Sequence, residues 1–307
     1  MTSAKKSTIV RFYAGVFPLL ERVAPPVGAK LLDQLWFRLP TVPEKVRRPR
    51  VELPAATPFE LPFEGGLIRG QVYGDAGPLV YLVHGWGGWG LQLAAFVPPL
   101  VEAGFRVVAY DAPSHGDSAP GLQGKGRSTM PEIADAFQAV VADRGPAYGV
   151  IAHSLGAAAV THALLHFAEP ERVVFVAAAT DFAVTLDAFQ AAFGFGPRVR
   201  AGFLRRFARR FGPMESYEGV RAVTDLAARR ALPPLLAIHD RDDRETEADG
   251  SIRVTKVWPG ATVELTEGLG HRRILRDPAV IELALGFLST DREAGDTPRT
   301  PRETMGR

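Results

Sequence analysis

The residues Ala152-His153-Ser154-Leu155-Gly156 follow a short apolar run and precede an Ala-rich stretch, which predicts a strand, a sharp turn and a helix. A Ser at such a turn points its hydroxyl away from the sheet, and the tight turn requires small residues two positions away on each side. Ala152 and Gly156 meet this requirement. A helix that starts after Ser154 also directs backbone N–H groups toward any negative charge that develops there. The simpler alternative is that Ser154 only caps the helix.

The segments on both sides of this turn alternate between apolar strands and helices. Strands are predicted at residues 67–73, 79–84, 106–111, 147–152, 173–178, 235–239 and 262–266. Short apolar strands separated by helices indicate a mostly parallel sheet that is buried on both faces. The sequence therefore predicts an α/β fold in which a mostly parallel sheet is flanked by helices.

A long interval between the fifth and sixth predicted strands interrupts this alternation. Helices are predicted at 182–193, 197–211 and 216–230, which we interpret as a helical cap of about residues 181–232 inserted above the sheet. Along the middle helix, apolar residues recur every fourth position and Arg residues occupy the other faces. Such a basic face is typical of a solvated helix, and contact with an anionic membrane or an acidic substrate is the alternative.

The two ends of the chain differ from this central region. Residues 1–58 are predicted to form a helical extension before the main domain of residues 59–288. Apolar residues at helical spacing in residues 1–40 indicate one or two helices, which either pack on the main domain or act as an amphipathic membrane or lid element. Residues 289–307 are polar and rich in Thr, Pro, Arg and Glu, so we expect a disordered tail.

Composition excludes several classes of function. The 307 residues include no Cys, which excludes disulfides, thiolate catalysis and Cys-based zinc sites. A formal net charge of +2 does not favour binding of nucleic acid. No run approaches the roughly 18 apolar residues of a membrane span, and Arg11, Pro18 and Glu21 interrupt any signal peptide. We therefore expect a cytoplasmic protein, with peripheral membrane contact through residues 1–40 or the cap as a further option.

A Gly-rich loop, HGWGG at residues 84–88, directly follows another apolar strand. Such a loop lets backbone N–H groups approach a ligand closely, and acyl transfer needs two such donors at the oxyanion. We predict that these donors are the backbone N–H groups of Trp86 and Leu155. The side chains of Trp86 and His153 are candidate contacts with substrate, although His153 could equally fill a gap beside the sheet.

A Ser hydroxyl is a weak nucleophile at its free pKa, so the turn at Ser154 needs a base. His271 ends the flexible stretch EGLGH at residues 267–271, after the last predicted strand. The loop is therefore predicted to bring His271 above the same edge of the sheet as Ser154, where its imidazole would serve as the base.

A third group should orient this imidazole and stabilise its charged form. The loop after the strand at 235–239 offers Asp240, Asp242 and Asp243. Position within the loop favours Asp243. Asp242 and Asp240 remain alternatives, as does Asp181, which follows the preceding strand.

Five motifs together resemble the α/β-hydrolase family between about residues 59 and 288. They are HGWGG at 84–88, DAPSHGDS at 111–118, AHSLG at 152–156, HDRDDR at 239–244 and GLGH at 268–271. The order Ser154, Asp243, His271 matches the chain order of the catalytic triad in that family. The resemblance implies a structural role for the turn at 111–118. Ala152 and Asp240 depart from the Gly residues that are usual at their positions in the family.

Together these observations predict a serine hydrolase that cleaves a carboxylic ester or thioester through an acyl-enzyme on Ser154. Trp86, Trp89 and the Phe-rich cap favour a small, largely apolar substrate, although these aromatic residues could equally serve packing between cap and core. No metal or organic cofactor is required. The alternatives are a non-catalytic ligand-binding protein on the same scaffold and a membrane-associated, lipase-like hydrolase.

Overall fold

A computed structural model describes residues 3–165 and 170–290, with side chains from residue 10 onward. Its strands are β1 (Ala56–Phe63), β2 (Gly66–Tyr73), β3 (Leu79–Val83), β4 (Arg106–Asp111), β5 (Ala147–His153), β6 (Arg172–Val176), β7 (Leu235–Asp240) and β8 (Ala261–Thr266). They form one sheet in the order β1-β2-β4-β3-β5-β6-β7-β8. Strands β3 to β8 run parallel, and β1 and β2 are antiparallel additions at one edge. The predicted mostly parallel sheet is confirmed.

Helices pack on both faces of this sheet, and further helices lie at one end of it. They are α1 (Ser3–Val23), α2 (Pro25–Trp36), α3 (Glu44–Arg47), α4 (Val97–Glu102), α5 (Met130–Arg144), α6 (Leu155–Leu164), α7 (Phe182–Phe193), α8 (Pro197–Phe211), α9 (Gly219–Ala227), α10 (Ala248–Val257), α11 (Gly270–Arg273) and α12 (Pro278–Ser289). Short 3-10 helices occupy Gly90–Phe96, Met214–Tyr217 and Ile274–Arg276. The last predicted cap helix, 216–230, is a 3-10 turn followed by α9, because Glu218 adopts extended dihedral angles between them.

The sheet has an apolar core on each face. Helices α5, α6, α9 and α10 contribute to the core on one face, and α4 and α12 contribute to the core on the other. All five residues of β3 and all six residues of β7 are buried as a result. Burial on both faces explains why these strands appear in the sequence as continuous apolar runs instead of alternating patterns.

Strand β1 differs from the sequence prediction. It begins at Ala56, so the predicted boundary between residues 58 and 59 falls inside a strand that pairs with β2. Pro58 and Pro62 read as strand breakers in the sequence. They are tolerated because β1 lies at the edge of the sheet, where one side of the strand needs no hydrogen-bonding partner.

The two N-terminal helices pack on the inserted helices of the cap. A third apolar core joins residues of α1 and α2, such as Phe17 and Leu32, to residues of α7 and α8, such as Phe203. The Trp36 ring centroid lies 5.1 Å from that of Phe189 and 5.4 Å from that of Phe203. Much of the Phe-rich surface of the cap is therefore used in packing against α1 and α2.

Acidic side chains of α1 and α2 strengthen this attachment to α8. The Glu21 carboxylate accepts hydrogen bonds of 2.8 and 2.9 Å from the backbone N–H groups of Arg198 and Val199, which caps the start of α8. Asp33 is buried and lies 3.3 Å from the guanidinium of Arg210. Among residues 3–165 and 170–290, no helix combines the length and the apolar composition needed to cross a bilayer. Residues 291–307, most of the predicted disordered tail, lie outside the described residues.

Candidate active site

Ser154 occupies a strained turn between β5 and α6. Its φ of 53° and ψ of −124° lie outside the usual regions for an L-residue. Hydrogen bonds hold this conformation, because Ser154 N–H donates to Val176 O and Ser154 O accepts from Ala179 N–H, both at 3.1 Å. The turn has no room for a side chain at Gly156, where a Cβ atom would lie 2.6 Å from Val83 O. The sharp turn predicted from the sequence is therefore present.

The structure brings three predicted residues together at the carboxyl edge of the parallel strands. His271 Nε2 lies 3.1 Å from Ser154 Oγ, and His271 Nδ1 lies 2.7 Å from Asp243 Oδ2. Ser154 follows β5, Asp243 follows β7 and His271 lies at the start of α11, beyond β8. The sheet topology thus places residues that are far apart in sequence within one hydrogen-bonded chain.

The Asp243 carboxylate is fully buried and receives several hydrogen bonds. Oδ1 accepts from the backbone N–H groups of Glu245 and Thr246, and Oδ2 accepts from the Thr246 hydroxyl at 3.0 Å. His239 Nε2 lies 3.4 Å from the same Oδ2 atom. Burial raises the pKa of Asp243, but hydrogen bonds from His239 and His271 outweigh it and hold the pKa well below its ordinary value. The carboxylate is therefore ionised and fixed opposite the imidazole.

The three alternative acids lie elsewhere. Asp240 Oδ2 accepts hydrogen bonds from the Thr266 hydroxyl and from Leu269 N–H. Asp242 Oδ2 accepts from Gly268 N–H, so both carboxylates brace the loop that carries His271. Asp181 lies 3.0 Å from Arg253 and accepts a hydrogen bond from Thr180. Of these four acids, only Asp243 is hydrogen-bonded to the His271 ring.

His153 lies beneath the imidazole of His271, with a distance of 4.6 Å between ring centroids. Its Nε2–H donates to the backbone O of His271 at 3.0 Å, and only 2% of the residue is exposed. Burial, followed by the charge of His271, lowers the pKa of His153 to about 3, so the ring is neutral. A substrate could contact this side chain only if His271 moved aside. Of the two roles that the sequence left open for His153, filling a gap beside the sheet fits this burial better than contact with substrate, and we expect the side chain to position His271.

The Gly-rich loop lies directly against Ser154. A Cβ atom on Gly85 would be 3.2 Å from Ser154 Oγ, so this close approach requires Gly. In the described part of the chain, the backbone N–H groups of Trp86 and Leu155 take part in no hydrogen bond. The Leu155 N–H is also one of the free donors at the start of α6. Both predicted oxyanion donors are thus available, and the Trp86 side chain is half-buried beside His115.

Two further buried His residues hold the surrounding loops. His84 Nδ1–H donates to Gly85 O at 2.8 Å, and His84 Nε2 accepts from Ala112 N–H at 3.0 Å. His115 Nδ1–H donates to Pro113 O at 2.9 Å. Burial, followed by the nearby His84, lowers the pKa of His115 to about 3. These bonds tie the Gly-rich loop to the turn at 111–118, which accords with the structural role expected of that turn.

Sequence reasoning missed Thr246, whose hydroxyl also lies 3.1 Å from His271 Nδ1. Thr246 lies three residues after Asp243, and its backbone N–H donates to the Asp243 side chain. This arrangement is typical of an Asx turn. An Asp followed by a polar residue at that spacing is the only local signal that could have revealed it.

A narrow apolar cleft lies between α6, the end of β6 and α9. Ala157 and Ala158, one turn along α6 from Ser154, line one wall, and Ala222 and Val223 of α9 line the opposite wall. Ala179 also lines it and donates its N–H to Ser154 O. The lining residues carry no Asp, Glu, Lys or Arg side chain, so the cleft offers an apolar surface close to Ser154. Within the described residues, no cluster of three or more His, Asp or Glu is arranged to hold a metal ion.

Comparison with known proteins defines the family. The profile of the alpha/beta hydrolase family matches residues 80–283, so the chain belongs to this family. A "Serine hydrolase-like protein" of Danio rerio is 34% identical over 103 residues, which are 33% of this chain. The matched segment spans only 31% of the length of that relative.

Solved structures show the same fold. A serine hydrolase involved in carbazole degradation is 14% identical, with a TM-score of 0.58 over 77% of this chain and 100% of that one. A membrane phospholipase A is 19% identical, with a TM-score of 0.57 over 92% of this chain and 99% of that one. At these identities the likeness to solved structures shows the fold alone.

The neutral, buried His115 predicts a specific dependence of stability on pH. Its pKa of about 3 in the folded state is below the value of about 6.5 for an exposed His, so between these values only the unfolded chain binds the proton. This contribution to stability is complete above pH 6.5 and is lost as the pH falls toward 3. We expect His115→Asn to reduce the pH slope of the unfolding free energy by about 1.4 kcal/mol per pH unit below pH 6.

Urea denaturation of wild type and His115→Asn at several pH values between 5 and 7 measures this slope. The comparison of slopes does not depend on the stability of the variant at neutral pH. Equal slopes would mean that His115 is already protonated in the folded protein and would contradict the assignment.

Proposed function

We propose that the protein is a serine hydrolase that cleaves a carboxylic ester or thioester through an acyl-enzyme on Ser154. One observation carries this proposal: the unbroken hydrogen-bonded chain from Ser154 Oγ through His271 to Asp243. The side chains are oriented as nucleophile, base and orienting acid require, because the ring nitrogen that faces Ser154 is the one that does not face the carboxylate.

The first chemical step uses this orientation. Ser154 Oγ attacks the carbonyl carbon of the substrate while His271 Nε2 takes the hydroxyl proton. The ionised Asp243 accepts a hydrogen bond from Nδ1–H, which fixes the tautomer and stabilises the imidazolium that forms. The protonated His271 then donates its proton to the departing alcohol or thiol, and the acyl group remains bonded to Ser154.

The second step reverses the roles. His271 Nε2 takes a proton from a water molecule, whose oxygen attacks the acyl carbon. As the bond between the acyl carbon and Ser154 Oγ breaks, the protonated His271 returns this proton to Oγ, which releases the acid and restores the Ser154 hydroxyl. In both steps a tetrahedral oxyanion forms, and the proposed donors to it are the N–H groups of Trp86 and Leu155. Removal of one such donor costs about 2.7–4 kcal/mol of transition-state stabilisation in hydrolases of this kind.

The apolar cleft beside Ser154 supports a substrate with an apolar acyl or alcohol part. The lining of this cleft carries no Asp, Glu, Lys or Arg side chain that would favour a charged group. The described rings of the cap contribute less to this argument than the sequence suggested, because many pack against α1 and α2.

A non-catalytic ligand-binding protein remains the second candidate, since the same fold supports both functions. The strained Ser154 conformation and the buried, ionised Asp243 favour the enzyme, because a binding protein would gain nothing from either feature. Turnover of a simple ester separates the two candidates.

Ser154→Ala should lower the rate of hydrolysis of short p-nitrophenyl esters and thioesters by about 10⁴–10⁶-fold, because it removes the nucleophile. Steady-state kinetics of wild type and variant measure the ratio, and circular dichroism checks that the variant is folded. If the two proteins hydrolysed every ester in the panel at equal rates, Ser154 would not be the nucleophile.

The two neighbouring acids provide a matched test of the proposed orienting residue. Asp243→Asn should lower kcat by about 10⁴-fold, because the amide favours the wrong imidazole tautomer. Asp242→Asn removes a carboxylate of the same loop that only braces Gly268, and should change kcat by less than about tenfold. Similar losses in both variants, measured on the same ester, would argue against a special role for Asp243.

If the acyl chain of the substrate enters this apolar cleft, filling the cleft should lower any preference for longer acyl chains. Ala222→Leu on α9 should reduce the ratio of octanoate to acetate ester hydrolysis by about tenfold or more, because a few methylene groups lose their space. Ala201→Leu places the same side chain on an exposed position of α8 as a control. An unchanged ratio in Ala222→Leu would show that the acyl chain binds elsewhere.

A further inference from the structure

Helices α1 and α2 carry apolar side chains that are mostly exposed in the described chain. Phe12, Leu19, Val23 and Val27 are 64%, 60%, 69% and 56% exposed. The first three are seven and four residues apart and therefore share one face of α1, and Val27 lies just beyond the turn into α2. The opposite face of α1 carries Phe17, which is fully buried against Phe195 with ring centroids 5.6 Å apart. The stripe is thus held outward by a helix that is firmly packed on its other side.

The helices that carry this stripe also carry exposed cations. Residues 1–40 contain six Lys or Arg and two acidic residues, and α8, which packs on α2, contains six Arg and no acid. Both acids, Glu21 and Asp33, face α8 and are engaged there. Arg22 and Lys30 are exposed and have no acidic partner among the described residues. With six cations and two acids, residues 1–40 carry a formal charge of +4, compared with +2 for the whole chain.

We propose that this face, which we define by Phe12, Leu19, Arg22, Val23, Val27 and Lys30, docks the protein on an anionic lipid bilayer. The apolar stripe would lie in the boundary between headgroups and acyl chains, and the cations would contact lipid phosphates. Helix α1 lies on the membrane in this arrangement and does not cross it, in agreement with its interrupted apolar character.

Charge decides between the bilayer and a second copy of the chain as the occupant. A two-fold symmetric dimer through this face would bring Arg22 and Lys30 of one copy toward the same cations of the other. Like charges in a partly desolvated contact oppose association. An anionic lipid surface offers the apolar layer and the opposite charge together, so it complements both features of the face.

Flotation of the full-length protein with liposomes tests this proposal without any use of its enzymatic activity. We expect binding to vesicles of phosphatidylcholine with phosphatidylglycerol, little binding to phosphatidylcholine alone, and a decrease with added salt. Substitution of Phe12, Leu19 and Val23 by Ser should reduce the bound fraction at limiting lipid by about tenfold. The double variant Arg22→Glu/Lys30→Glu should abolish the preference for anionic vesicles.

Matched controls change similar residues on other surfaces. Leu122→Ser/Leu283→Ser removes exposed apolar side chains, and Arg229→Glu/Lys256→Glu reverses an exposed cation just after α9 and another on α10, so both variants should bind as wild type does. Failure of the wild type to float with anionic vesicles would overturn the proposal, as would equal binding by the α1 variants. A self-associating wild type that becomes monomeric in the Ser variant, with vesicle binding unchanged, would assign the face to a second copy instead.

Discussion

A buried carboxylate at the end of β7 is the constraint on which the candidate site depends. An ionised Asp243 with no exposed surface would be very unfavourable without compensating hydrogen bonds. The chain supplies them from the backbone and hydroxyl of Thr246, from Glu245 N–H, and from the rings of His239 and His271. The hydrogen bond from His271 is one of these. It stabilises the buried carboxylate and, at the same time, orients the ring so that His271 Nε2 faces Ser154.

The remainder of the site restricts movement away from this arrangement. Asp240 and Asp242 hold the loop before His271 through its backbone, while His153 donates to the backbone of His271 from below. On the other side, the strained turn at Ser154 persists because its N–H and O are both bonded to the chain around β6. Catalytic geometry of this kind needs supporting residues whose own positions are fixed. Here that support comes from polar groups at the ends of four adjacent parallel strands.

The sequence revealed those parts of the structure that depend on local pattern. The buried parallel strands were recognisable as apolar runs, and α7 and α8 were bounded by Gly194, Pro197 and Gly212 in the chain. Strand β1 was missed because its two Pro residues are acceptable only at an edge, and α10 has too weak an apolar pattern to be recognised. The packing of α1 and α2 on the cap, and of His153 under His271, depends on contacts between distant segments that no local pattern encodes. The structure places Ser154, Asp243 and His271 next to one another, as the sequence led us to expect, because the order of the strands determines which loops meet.

The most direct test of this account is a crystal structure of the whole protein after reaction with a fluorophosphonate. We expect a single phosphonyl group bonded to Ser154 Oγ, with its oxygen accepting hydrogen bonds from the N–H groups of Leu155 and Trp86. Protein that is unfolded before the reaction should not be modified. A protein that stays unmodified, or that carries the group on a different residue, would contradict the central claim that His271 and Asp243 activate Ser154.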